Sequence, residues 1–266
     1  VEKTLLRVIV GGDVLKNMER LVFRPVPSRR LGRSLGVNNI PPKTCSYSCV
    51  YCQLGRTSSM LVDRRVFYEP EQILMQVEKK IDEAASRGER IDYITFVPDG
   101  EPTLDINLGK EVSLLKHIRA PIAIITNASL LWRGDVREDL LAADFVSLKV
   151  DAVSLDLWRR INKWVKPAKE ENINAAFQIF AKRLGNDRVE YLIGYEGNAF
   201  ASTGDIREDL LSITAVHPMR EEAVKELLRK NGVGWQIIDE LLRNGELVKL
   251  EYEGNTYYIR KLVKNK

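Results

Sequence analysis

Three cysteines set the chemistry this sequence can do. Cys45, Cys49 and Cys52 are the only cysteines in 266 residues, and they fall in one short run as C-x3-C-x2-C. An odd number packed this closely is no disulfide framework; in a reducing compartment it points to metal or redox chemistry. Three thiolates can each hold one iron of a cubane, which leaves the fourth iron without a protein ligand. A metal that binds a substrate needs such an open position. Structural zinc is normally closed by four ligands, and the only histidines, His117 and His217, lie far off in sequence. A zinc site borrowing one of them is one alternative. Three buried structural thiols are another, because cysteine also behaves as a small hydrophobe.

A second set of polar residues falls where apolar runs end. Val97-Pro-Asp-Gly-Glu-Pro-Thr103 follows IDYITFV, and its Gly100 allows close backbone approach. An ordinary strand-to-helix turn would use the same Asp, Gly and Pro. Thr126-Asn127 ends PIAIIT, and Ser147, Lys149 and Asp151 lie at the end of FVSLKV. In a parallel α/β barrel these are the ends where active sites sit, although each residue also suits a plain strand cap. Arg29, Arg30 and Arg33 precede the cysteines. Guanidinium groups suit bidentate binding of phosphate or carboxylate, so Arg29 and Arg30 are candidate substrate-binding residues, with barrel covering as the alternative.

The elements that must position these residues alternate. SLGVNNI reads as a first strand. Helical spacing of Ile73, Val77 and Ile81, with Pro70 at the start and Gly88 past the end, predicts a helix over 69–88. IDYITFV, PIAIIT, FVSLKV and VEYLIG read as strands, separated by helices over 111–118, 136–142, 155–161 and 170–183. Strands alternating with helices mean βαβ units and a parallel sheet, either open or closed into a full or partial barrel. Residues 1–20 read as a short strand and a turn at Gly11–Gly12. From about residue 203 the pattern changes to three helices and a β-hairpin, the winged-helix arrangement. The predicted domains are therefore 1–202 and 203–266.

Hydrophobic residues at 44% supply a core, and no apolar run approaches the roughly 20 residues of a membrane span. No signal peptide is read at the start, so a cytoplasmic location is expected. The net charge is +4, but nine Lys or Arg and a single acid lie between Arg20 and Arg65. That field attracts anions such as phosphates, nucleic acid or a carboxylate, or it is a solvated face. From Arg220 to Lys266 ten basic residues face eight acidic ones, which argues against a nucleic-acid surface. Met219, Trp235 and Tyr257 are expected in the core of the tail.

Cys45 to Cys52, with Tyr51 just before the last cysteine, resembles the signature of the radical SAM superfamily. The surrounding PVPSRRLGRSLGVNNIPPKTCSYSCVYCQLGRT resembles an uncharacterised subfamily often labelled by similarity to wyosine-forming tRNA enzymes. The resemblance covers the chain from about Leu21 onward. It implies a partial (βα) barrel of the radical SAM type, a 4Fe–4S cluster on Cys45, Cys49 and Cys52, and S-adenosylmethionine (SAM) on the open iron. It implies reductive cleavage of SAM to a 5′-deoxyadenosyl radical that abstracts hydrogen. The DGEP segment resembles the family's GGEP motif, which places Gly100 and Glu101 near SAM, with Tyr51 near the adenine. Asn127, Ser147 and Asp151 would contact ribose and carboxylate. An electron donor such as reduced flavodoxin or ferredoxin is an implied partner, and tRNA is one implied substrate. The rival reading is an iron–sulfur redox-responsive regulator that binds nucleic acid through the winged helix; DGEP and the βα repeat favour the enzyme.

A typical core of this family has six parallel strands, whereas only five are read here before the tail. After LWRRIN the resembling proteins continue with further helix and strand, while here Lys163-Trp164-Val165 follows at once. One or two βα units are therefore expected to be missing near residue 163. The shortened barrel should have fewer than six parallel strands, FVSLKV at or near an exposed edge, and weak turnover.

Overall fold

The computed structural model describes residues 21–23, 25–50, 52, 54–149, 161–164, 170–192, 199–216, 218–252 and 254–261. The strand and turn read over residues 1–20 lie outside them, as does the helix read over 155–161 apart from Ile161.

The chain begins with β1 (Val26–Pro27) and β2 (Arg33–Val37), followed by three short strands of the cysteine loop, β3 (Thr44–Cys45), β4 (Tyr47–Cys49) and β5 (Ser59–Met60). Then come α1 (Pro70–Ser86), β6 (Tyr93–Phe96), α2 (Leu108–Leu115), β7 (Ile122–Thr126), α3 (Gly134–Leu141), β8 (Phe145–Lys149), β9 (Asn162–Trp164), α4 (Glu170–Leu184) and β10 (Val189–Leu192). The main sheet has the order β1-β2-β6-β7-β8-β10. Its last five strands are mutually parallel, and β1 pairs antiparallel at one edge. Among the described residues the parallel strands therefore number five, as the sequence predicts. FVSLKV is the penultimate strand, and the edge itself falls to β10, which pairs with β8 from Val189↔Val146 to Leu192↔Lys149.

The sheet's two faces differ because side chains alternate along a strand. One face carries Leu35, Val37, Ile94, Phe96, Ile122, Ile124, Val146, Leu148 and Val189, all buried in a single cluster. The crossover helices supply the other half of that core: Ile73 and Val77 of α1, Leu108, Val112 and Leu115 of α2, Val136 and Leu140 of α3, and Ala176 and Phe180 of α4. Right-handed crossovers taken in one direction along a sheet leave every helix on the same side. α1 starts at Pro70, whose missing N–H costs nothing in a first turn, and closes with Gly88 at φ 72°.

At the alternate positions the strands carry Ser34, Gly36, Thr95, Ala123, Ser147 and Glu190, together with the larger Tyr93, Ile125 and Phe145. Ser34 Oγ and Thr95 Oγ1 lie 2.6 Å apart, and Ser147 Oγ donates to Glu190 Oε1 at 2.8 Å. Glu190 also pairs with Arg30. In a flat sheet β2 and β10 would stand about 19 Å apart, at four spacings of ~4.8 Å. The turn carrying Arg30 crosses that gap. Arg30 and Leu31 line a cavity of about 500 Å³ together with Tyr93, Pro121, Phe145 and Arg188, all at the starts of parallel strands. Arg29 stacks its guanidinium 4.4 Å from the Phe200 ring centroid.

The tail contains α5 (Ile206–Val216), β11 (Met219–Arg220), α6 (Glu221–Lys230), α7 (Gln236–Arg243), β12 (Leu247–Tyr252) and β13 (Asn255–Arg260). Its strands form a small antiparallel sheet in the order β11-β13-β12. A second buried cluster runs from Phe200 through Leu210, Met219, Leu227, Ile238 and Leu241 to Tyr258. Met219 lies in it and Trp235 packs against it, as expected. Tyr257 does not: it stands half-buried beneath the Arg220 guanidinium, and Tyr258 takes the core place. The two alternate along β13, and the run TYYIR has an aromatic on either face, so composition could not choose between them.

Gly36 makes a direct test of the packing. A Cβ there would lie 1.9 Å from the Phe23 ring. Gly36→Ala should cost about 1–3 kcal/mol in urea unfolding by overpacking. Combined with Phe23→Ala, the two changes should cost less than their sum. Additive costs would show that Phe23 does not pack on Gly36.

Candidate functional site

The cysteine loop leaves β2 at Val37, at the C-terminal edge of the parallel sheet. It is held by two small pairings. β3 pairs parallel with β5, Cys45 opposite Met60, and β4 pairs antiparallel with β9, Cys49 opposite Asn162. The stretch around Lys163 and Trp164, where the sequence appears to jump, therefore backs the cysteine loop directly. Cys52 N donates to Cys49 O at 3.1 Å, and Gly55 N to Cys52 O at 2.9 Å. None of the three cysteines is in a disulfide, and all are partly exposed. Lys43 enters the loop at φ 61°, an unusual conformation for a side chain with a Cβ. Its carbonyl accepts from the amides of Ser58 and Ser59, both at 3.1 Å.

The DGEP turn follows β6 and is clamped to this loop through backbone. Lys43 N donates to Asp99 O at 2.7 Å, and Glu101 N to Thr44 O at 3.1 Å. The space between is so narrow that a Cβ on Gly100 would fall 1.8 Å from Thr44 O. Only glycine fits there.

Glu101 is the centre of the arrangement and is 1% exposed. Its Oε1 accepts from Thr103 N at 3.1 Å, Thr103 Oγ1 at 2.6 Å and Thr126 Oγ1 at 2.6 Å. Its Oε2 accepts from Asn127 N at 2.8 Å. These bonds join the end of β6 to the end of β7. Asn127 then carries the connection to the cysteines: its Nδ2 donates to Ser46 Oγ at 2.9 Å and lies 3.6 Å from Cys45 Sγ. Ser46 and Ser129 hydroxyls meet at 2.6 Å. Ala128, at φ 63°, turns the chain so that its amide reaches Thr126 Oγ1 and the Ser129 amide reaches Asn127 Oδ1.

Burial pushes the Glu101 carboxyl up, against the opposing effect of its hydroxyl and amide donors. Burial pushes the Cys45 thiol up to about 12, helped by the charge of Glu101. A free Cys45 thiol is therefore protonated at neutral pH, so binding a metal there must release a proton.

The sequence-predicted residues divide into three groups. Cys45, Gly100, Glu101 and Asn127 come together, with Cys49 and Cys52 on the same loop. Ser147 is buried on the other face of β8 and committed to Glu190, while Arg30 joins Glu190 from the opposite end of the strands. Arg29 and Arg30 are thus not brought to the cysteines. Tyr51 and Asp151 lie outside the described residues. Thr103, Ser46 and Ser129 were not singled out from sequence. Glu101 two residues before Thr103 is a signal that could have found the first of these.

Among the described residues, no three His, Cys, Asp or Glu side chains converge on a single metal ion. A cubane asks for less, since each thiolate binds its own iron. The zinc alternative through His117 gains nothing from the structure: its ring nitrogens meet Leu114 O and Glu78. His217 lies outside the described residues.

Comparisons with known proteins identify the family. The model of the radical SAM superfamily matches residues 39–196. A UPF0026 protein of Methanocaldococcus jannaschii is 40% identical, over 91% of this chain and 96% of the relative. That alignment runs over 311 positions, so at least 45 of them have no counterpart in the 266 residues here. A UPF0026 protein of Synechocystis is 38% identical over 61% of this chain and 60% of the relative. Among solved structures, TYW1 with a lysine-pyruvate adduct bound aligns at a TM-score of 0.39 and 14% identity, covering 85% of this chain and 79% of that one. Archaeal TYW1 aligns at 0.36 and 15%, covering 88% and 80%. The chain belongs to the radical SAM superfamily, enzymes whose cofactors are a 4Fe–4S cluster and SAM, and within it to the UPF0026 proteins.

Proposed function

We propose that Cys45, Cys49 and Cys52 hold a 4Fe–4S cluster by three of its irons and that the chain cleaves SAM reductively. When bound and reduced, the cluster supplies the electron that breaks the sulfonium C–S bond of SAM, giving methionine and a 5′-deoxyadenosyl radical that takes hydrogen from a substrate. The donor set fits: three cysteines outside any disulfide stand on one loop, and the sequence has no fourth.

The observation that carries the reading is the Glu101 network. A carboxylate with every hydrogen bond made inside the protein is not a loose cap. It fixes two strand ends beside the first cysteine, and it turns the DGEP backbone toward the loop. Glu101 and Asn127 orient the backbone that meets the amino group of SAM, and Gly100 lets that backbone approach. Tyr51 and Asp151 are proposed SAM contacts on their motif positions alone. Reduced flavodoxin or ferredoxin is the proposed class of electron donor.

For the tail, the element order α5-β11-α6-α7-β12-β13 supports a winged-helix module. Its cations are largely spent on neighbours: Lys225 on Glu221, Arg229 on Glu226, and Arg207 on Glu240 and Glu246. Duplex DNA should bind no more tightly than non-specific affinities of roughly 10⁻⁴ to 10⁻⁶ M at physiological salt. A tight, sequence-selective footprint would refute this.

The enzymatic reading is tested on anaerobically reconstituted protein. It should bind about four irons and four sulfides and, reduced with dithionite, form 5′-deoxyadenosine from SAM. Replacing any one of Cys45, Cys49 or Cys52 by Ala should abolish both. Stoichiometric zinc in place of iron would sink the proposal. Glu101→Ala should weaken SAM binding by about tenfold or more, the scale of a lost charged hydrogen bond, while the cluster's absorbance persists.

A further inference from the structure

Directly behind the DGEP turn lies a second set of buried polar groups that the reading above does not use. Asn39, Asp105 and Glu111 are at most 1% exposed. Asn39 follows β2 on the way to the cysteines, Asp105 ends the turn that begins at Pro102, and Glu111 is in α2. Asn39 Nδ2 donates to Pro102 O and to Glu111 Oε2, each at 3.2 Å. Asp105 Oδ1 accepts from Asn107 N at 2.9 Å. Asp105 Oδ2 and Glu111 Oε1 are buried without any amide, hydroxyl or cationic donor. The two carboxyl groups lie close enough that each one's charge bears on the other. Such a contact is attractive only when one proton lies between them, because two carboxylates repel.

Arg64 closes the set from the other side. Its side chain is 3% exposed. Its Nε donates to Thr103 O at 3.0 Å and its Nη2 to Asp105 O at 2.6 Å. It also pairs with Asp135 and Asp139 of α3. Every carbonyl Arg64 takes belongs to the segment next to Glu101. That segment is therefore gripped before the cysteine loop by Asn39, after the loop by Arg64, and underneath by Glu111.

We propose that Asp105 and Glu111 are positioning residues that share one buried proton, and that this proton locks the Glu101 turn in place against Asn39 and Arg64 before SAM arrives. The inference rests on the reading of Glu101 as a SAM-side residue. Glu111 is the proton's holder, since burial and the charge of Asp105 both disfavour its ionised form, while Asp105 has the Asn107 amide and nearby Arg64 to favour its charge. Asp139 is the further acid facing the pair, and Asp135 and Arg133 lie beyond it on the Arg64 side.

The sign of the pH effect follows from linkage. Burial first, and then the charge of Asp105, push the Glu111 carboxyl up to about 9. Between its ordinary value and that point the folded chain binds a proton that the unfolded chain has lost. Stability from this group is therefore full at low pH and falls as pH rises through the window. Glutamine at 111 presents the same donor to Asp105 and the same acceptor to Asn39 but cannot ionise.

The experiment compares wild type, Glu111→Gln and Glu111→Ala, each as the full chain. In iron-free protein, the midpoint of thermal unfolding is followed from mildly acidic pH to about pH 9. Glu111→Gln should gain on wild type steadily as pH rises. In reconstituted protein, Glu111→Ala should lose about tenfold in SAM affinity, and Glu111→Gln should restore it. Asp105→Asn serves if Glu111→Ala does not fold, and should likewise flatten the alkaline decline. A difference between Glu111→Gln and wild type that does not change with pH would overturn the shared proton. SAM affinity equal in all variants would overturn the positioning role. Wild type that forms no 5′-deoxyadenosine while the thermal differences hold would count against the earlier reading alone.

Discussion

A carboxylate taken out of water must have its hydrogen bonds replaced by protein donors, or it costs several kcal/mol. Glu101 meets that demand by recruiting two hydroxyls and two amides, and those donors sit on two different strand ends. Satisfying one side chain therefore fixes the ends of β6 and β7 relative to each other. Asn127 is held by its own amide, and its side chain is oriented by its bonds to Ser46 and the Ser129 amide, which bring it beside Cys45. The cysteine loop receives its alignment from the same group through Glu101 N and Thr44 O.

The rest of the core supports this constraint. The apolar face of the sheet, packed under four helices, holds the strands in register, while the alternate positions mix small and polar residues with Tyr93, Ile125 and Phe145. The far end of the strands is covered by the Arg29–Leu31 turn, with Arg30 and Glu190 linking the first and last parallel strands. β10 pairs straight onto β8, and β9, which spans the expected junction near residue 163, pairs onto β4 beside the cysteines. The alignment with the Methanocaldococcus relative leaves at least 45 positions unmatched.

Much of this was legible before any coordinates. Short apolar runs such as IDYITFV and PIAIIT have one stable use in a chain that alternates with helices, and the cysteine spacing has few chemical uses. The parallel pairing followed from the same alternation, while the strand order did not. What the sequence withheld was long-range and polar. The strand-end position of Thr126 was legible, but its bond to Glu101, like that of Thr103, was not. Asn39, Asp105 and Glu111 are spread over 73 positions and share no pattern, so only folding brings them together. β4 and β9 are each three residues, too short for periodicity to declare. Arg30 sits near the cysteines in sequence, but β2 lies between them and carries it to the opposite end of the sheet.

The central claim is that SAM binds against a cluster on Cys45, Cys49 and Cys52. Low-temperature electron paramagnetic resonance of the reduced protein tests it most directly. The account predicts the signal of a one-electron-reduced 4Fe–4S cluster whose line shape changes when SAM is added, because SAM takes the iron that no cysteine holds. A cluster signal identical with and without SAM, at concentrations that saturate binding, would contradict it.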